Sequence, residues 1–179
     1  SSALTAAVKE LTPLVAHADA AVRTAAVESL GAVVDLPNLG VLIDAVVKPW
    51  DPAAGAVAAK ALGQACTRMA DREACAEKLV AALSGDLPNA TKIQVYDALG
   101  DVGGKKALAA VAAAGRSSDA ELQDAATRLL GKWMTPDAAP ALVDLARALP
   151  PGKYQTRAVR GAIRIARQFA VPDNDRADI

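Results

Sequence analysis

Aromatic side chains are scarce: two Trp, two Tyr and one Phe in 179 residues. With 53% of the residues apolar but only 3% aromatic, the core must be built mainly from Ala, Val, Leu and Ile. Histidine occurs once, as His17, so His-based nucleophilic catalysis has no visible second partner. The two cysteines, Cys66 and Cys75, are wrongly spaced for a structural zinc site, and His17 is remote from both. Neither sign of charge dominates: Lys+Arg and Asp+Glu number 20 each. A protein dedicated to phosphate backbones carries a basic excess, so no nucleic-acid partner is expected. No apolar run approaches the eighteen or so residues that span a bilayer. No segment alternates apolar and polar residues long enough to propose a strand.

Catalytic signatures are missing too. There is no Gly-rich phosphate loop and no Gly-x-Ser-x-Gly. Asp173, Asp175 and Asp178 lack the Gly and Glu of a calcium loop. The acids Asp71, Glu73 and Glu77 cluster near a helix start, where negative charge complements the dipole. These absences lead to the expectation of a non-enzyme without metal or cofactor.

What the chain does have is a repeat. Leu-Gly recurs as Leu30-Gly31, Leu62-Gly63, Leu99-Gly100 and Leu130-Gly131, at spacings of 32, 37 and 31 residues. Ten or eleven residues before each Leu stands a helix-capping residue: Asp19, Asp51, Asn89 and Asp119. Ala-rich, helix-period sequence lies between. A period of this size built from one helix-sized unit is the signature of stacked helix pairs. The expected helices run roughly over 4–16, from the Asp19 cap to Leu30, after an Asn38 cap, after Asp51-Pro52, and over 73–83, 90–102, 105–114, 120–133, 137–149 and 154–169. Pro13 should bend the first, at a cost of about 3 kcal/mol unless packing accommodates it. The fold class is therefore all-α, about ten helices in five antiparallel pairs. One array is expected over residues 1–170, with 171–179 opening a loop or a further truncated repeat. A start without Met and an end of this kind read as a fragment of a longer protein.

Residues 19–31, Asp-Ala-Ala-Val-Arg-Thr-Ala-Ala-Val-Glu-Ser-Leu-Gly, resemble the second helix of a bacterial HEAT repeat, of the short variety also found in phycobilin-lyase-like arrays. The fifth unit departs from the pattern: Tyr154 replaces the cap, and Ile165-Ala166 stands where Leu-Gly should be. The resemblance implies an α-α superhelix whose second helices line a concave binding wall. It implies a protein or peptide partner bound by a scaffold inside a larger bacterial protein. It also brings two rivals, a tetrapyrrole-holding chromophore lyase and a HEAT-like DNA glycosylase. Few aromatics disfavour the first, and neutral charge the second.

The densest charge feature is Lys153, Arg157, Arg160, Arg164 and Arg167, with no acid between Lys153 and Phe169. Spacings of three and four set the arginines along one stripe, a candidate site, with Tyr154, for an acidic partner, phosphate or carboxylate. The alternative is a solvated face or pairing with acids such as Asp137 and Asp144. The inner-wall positions Glu28, Lys60, Asp97 and Arg128 alternate in sign, which suits a mixed protein surface. Tyr96, Trp133, Tyr154 and Trp50 are either partner anchors or edge packing. His17 sits where a side chain can meet the last carbonyls of the first helix. Cys66 and Cys75 lie nine residues apart, at the end of one helix and the start of the next, where an antiparallel pair could bring them within reach, as a disulfide or as two small buried thiols. A bridge would favour an extracytoplasmic location; otherwise the compartment is open.

Overall fold

The computed structural model describes residues 2–169, so the expected loop or truncated repeat over 171–179 lies outside the described residues. Among them there is no strand, and ten α-helices follow one another. They are α1 (Ser2–Leu11), α2 (Ala20–Val33), α3 (Gly40–Val47), α4 (Pro52–Thr67) and α5 (Arg72–Ala82). After them come α6 (Asn89–Val102), α7 (Gly104–Ala114), α8 (Ala120–Gly131), α9 (Ala138–Ala148) and α10 (Lys153–Phe169). The chain divides into two compact units, Ser1–Ala107 and Leu108–Ile179. In the first, α2 packs on α4 and α4 on α6, while α3 lies against α4 and α5 against α6. In the second, α10 packs on both α9 and α8.

Three of the four expected caps hold. The carboxylates of Asp19, Asp51 and Asp119 accept from Ala21, Ala54 and both Glu121 and Leu122 N–H respectively. The fourth does not: α6 begins on Asn89 itself, with Pro88 in the capping position. Pro88 fixes φ at −56° and so prepares the first turn without a side-chain oxygen. Asn38 likewise does not cap α3. It closes a short 3-10 turn over Leu36–Asn38, capped by Asp35, and Leu39 leads into the helix. Pro13 does more than bend the first helix. Its ring and missing N–H end α1 at Leu11, and the chain tightens into a 3-10 segment over Thr12–Ala16.

The Leu-Gly motif works at both of its residues. Leu30, Leu62, Leu99 and Leu130 are all fully buried. A Cβ on Gly31 would stand 2.9 Å from the Ala61 Cα of α4, and one on Gly161 would stand 3.3 Å from the Gly131 Cα of α8. Small residues thus set the approach of α2 to α4 and of α8 to α10. Gly63 differs, because its added Cβ would meet only the carboxylate tip of Asp101, at 2.6 Å.

Candidate functional site

The arginine stripe of α10 separates into two pairs. Arg157 and Arg164 turn back toward α8. Arg157 donates through Nη1 to the Asp124 carbonyl at 3.1 Å, the Asp124 carboxylate at 3.2 Å and the Thr127 hydroxyl at 2.9 Å. Thr127 is buried and passes its own proton to the Gln123 carbonyl, so the arrangement is closed. Arg164 donates from Nε to the Gly131 carbonyl and from Nη2 to the Trp133 carbonyl, at 3.1 and 2.5 Å. These are the carbonyls that a helix end leaves without an internal donor.

Asp124, rather than Asp137 or Asp144 of α9, is the acid that meets the stripe. It accepts Arg157, Arg128 at 2.8 Å and Lys153 at 3.5 Å. Desolvation pulls its carboxyl up, but the Arg157 hydrogen bond and the three nearby cations outweigh it, holding Asp124 below the usual carboxylate value. Tyr154 lies beneath the same cations, 4.7 Å from Lys153 Nζ and 5.8 Å from Arg157, and its hydroxyl donates to the Ala120 carbonyl. Asp137 is occupied locally by the Thr135 hydroxyl.

Arg160 and Arg167 are exposed and form no hydrogen bond or ion pair with a described residue. Val159, next to Arg160, and Ile163, between the two arginines in sequence, are 42% and 46% exposed. At 3.6 residues per turn these four share the side of α10 opposite Ala158, Gly161 and Ile165, which are buried. The last helix therefore carries an outer stripe of two aliphatic and two basic side chains. With Arg164 and Gln168, three of them line a shallow hollow.

The remaining candidates are placed as follows. Glu28, Lys60, Asp97 and Arg128 are all exposed. Trp133 is buried, Tyr96 and Tyr154 are half-buried, and Trp50 is 62% exposed. His17 does not cap the helix before it through its ring. Its Nδ1 accepts the Asp19 N–H at 3.0 Å, which makes it part of the α2 entry turn. Cys66 and Cys75 are free, buried thiols whose sulfurs lie 3.6 Å apart. The hydrogen bond the two thiols share, then burial, holds the proton on Cys66 and pushes its pKa far up, while the same bond lets Cys75 lose its proton more easily.

Two kinds of contact had no sequence signal. Glu73 of α5 accepts the Lys105 and Lys106 N–H groups at 2.6 and 3.2 Å, capping α7 from a neighbouring helix. The residue four after a capping aspartate covers the end of the preceding segment: Arg23 on the His17 and Ala18 carbonyls, Gln123 on Gly115. Among the described residues no cluster of three or more His, Cys, Asp or Glu is placed to hold a metal ion. No described helix is long and apolar enough to cross a membrane.

Repeated pairs, stacked through small residues and sealed by side chains from the next helix, invite comparison with known repeat proteins. Residues 76–163 match the family model of HEAT repeats. That match runs from α5 into α10 and supports a HEAT-repeat family. A crystal structure titled as that of an engineered protein aligns with 89% of this chain and 79% of its own, at 22% identity and a TM-score of 0.51. At that identity the likeness shows the all-helical fold alone. No curated protein matches the chain.

Proposed function

We propose that the protein is a non-catalytic scaffold of the short bacterial HEAT-repeat kind. It binds a protein or peptide partner, and the two units belong to one continuous array. The contact lies on the outer stripe of α10, with Arg160 and Arg167 meeting acids and Val159 and Ile163 meeting apolar side chains. The observation that carries this reading is the splitting of the stripe. Arg157 and Arg164 are committed to α8, whereas Arg160 and Arg167 flank exposed aliphatics on a helix with no acid of its own. Arginine beside apolar surface is the composition of binding hot spots.

Affinity capture from the source extract tests it, with native protein and an Arg160→Glu/Arg167→Glu variant as paired baits. A partner held by the native bait and lost by the variant supports the reading. Equal capture by both baits removes the contact from α10.

We also propose that Cys66 and Cys75 are able to bridge. Their sulfurs need to close from 3.6 Å by roughly 1.5 Å to reach bonding distance. Exchange with oxidised glutathione would leave one protein disulfide and two glutathione thiols. Intact-mass measurement before and after that treatment reads the loss of two hydrogens.

A further inference from the structure

Within the first unit, a cleft of about 510 Å³ lies between the 3-10 segment and helices α2, α3 and α4. Its origin is local. At Pro13 the first helix gives way to the 3-10 segment, and positions facing the gap carry small side chains, among them Ala45 of α3 and Ala54 of α4. Val15, Val27, Val41 and Val57 supply the walls. The volume falls among those of small-molecule sites, roughly 300–1,000 Å³.

Charge at the mouth is even. Arg23 and Lys48 line it together with Asp44 and Asp51, two cations against two carboxylates. Asp44, Lys48 and Asp51 are exposed, so water already solvates them. Arg23 donates through Nη1 to the His17 and Ala18 carbonyls and stands 4.5 Å from the Trp50 ring. Asp51 accepts the Ala54 N–H at 2.8 Å. A ligand with a net charge gives up hydration to enter apolar walls, and a balanced rim returns no net attraction to offset that loss.

The polar groups of the interior point the same way. A site that reads a polar ligand holds buried donors or acceptors that stay unpaired until the ligand arrives. Thr12, which lines the cleft, spends its hydroxyl on the Val8 carbonyl at 2.7 Å. Among the described residues no buried side-chain nitrogen or oxygen lacks a hydrogen-bond partner. What an occupant can gain here is the release of water from aliphatic walls, and that gain needs no charge.

We propose that the cleft is a binding site for a small neutral apolar molecule, its hydrocarbon body between the valine and alanine walls and its polar tip at the wet mouth. The site uses no residue of α10 and does not rest on the partner reading.

Titration of the intact protein with 1-octanol, octanoate and octylammonium tests the proposal, because these probes share one chain and differ in charge. Trp50, at the mouth and exposed, provides the fluorescence signal, while Trp133 belongs to the second unit and does not line the cleft. The expected result is saturation by 1-octanol with Kd below about 1 mM, and binding of each ion at least about fivefold weaker. Ala45→Leu and Ala54→Leu fill the cleft from two helices and should each weaken 1-octanol by more than about fivefold. Circular dichroism and thermal melting report whether they fold. Asp44→Ala and Lys48→Ala, at exposed positions, unbalance the rim in opposite senses. They should leave 1-octanol within about twofold, while the first improves octanoate and the second octylammonium. No saturation by 1-octanol up to about 2 mM overturns the proposal, as does unchanged affinity in the folded filling variants. An ion that binds the native protein as tightly as 1-octanol overturns it too, as does a clear loss of 1-octanol affinity on removal of either rim charge. A partner protein that the folded filling variants no longer capture, with 1-octanol never saturating, gives the cleft to a protein segment and likewise overturns it.

Discussion

A single carboxylate, Asp124, gathers Arg128, Lys153 and Arg157. Its acidity in the folded chain is lowered in pKa relative to the ordinary 3.8, so its contribution to stability is complete above that value. The contribution is lost as the pH falls through the lower, folded value. Asp124→Asn should therefore cost about 1 kcal/mol at neutral pH, and the gap to the native protein should narrow as urea melts are repeated at progressively lower pH below 3.8. Glycines offer a sharper contrast. Gly31→Ala drives a methyl against the Ala61 backbone, which cannot swing aside, and should destabilise by about 1–3 kcal/mol. Gly63→Ala meets only a carboxylate tip on a flexible side chain, so the helix preference for Ala, up to about 1 kcal/mol, should leave it neutral or more stable. Chemical denaturation of the two variants checks both signs. The sequence announced both glycines identically, as Leu-Gly. Only the partner helix distinguishes them, and a repeat pattern does not encode which atom of that helix arrives opposite.

Helices were the most legible layer of the sequence, because an Ala-rich 3.6-residue period and Asp caps act locally. Their ends were less legible wherever the cap comes from elsewhere. Gly103 and Gly104, at φ +68° and +85°, start α7 with no side chain of their own to offer its free N–H groups. Glu73 supplies the oxygens from 32 residues earlier, at Lys105. Glu73→Ala should cost about 1 kcal/mol, with hydrogen exchange accelerating first at the Lys105 and Lys106 amides. The same limit explains the candidate site. Helical spacing placed four arginines on one stripe, but the stripe is broad enough for its flank to reach α8 while its crest faces water. Which two do which depends on where the α8 carbonyls end.

For the whole molecule, net charge is zero, so the basic outer stripe of α10 is a local imbalance within a balanced total. Arg160→Glu with Arg167→Glu should leave the melting temperature within a few degrees, about the range of surface substitutions. Arg164→Glu should lower it clearly, since the Gly131 and Trp133 carbonyls then face a carboxylate. Differential scanning calorimetry separates the two cases. The all-helical, paired architecture was readable from the Leu-Gly period alone. The position of the outer stripe was not, because it emerges from packing on α8. Arg164 has a counterpart in the other unit: Arg68 donates to the Gly31 and Val34 carbonyls at the end of α2. In each case a later helix pair completes the glycine end of an earlier one. A chain that stops short of either arginine therefore leaves the preceding glycine end to water, exchanging a charge-assisted bond for an ordinary one at a cost of about 1.5–3 kcal/mol. Hydrogen exchange should quicken first in the last turn of the helix so uncovered, which reads each shortened chain at the element it exposes.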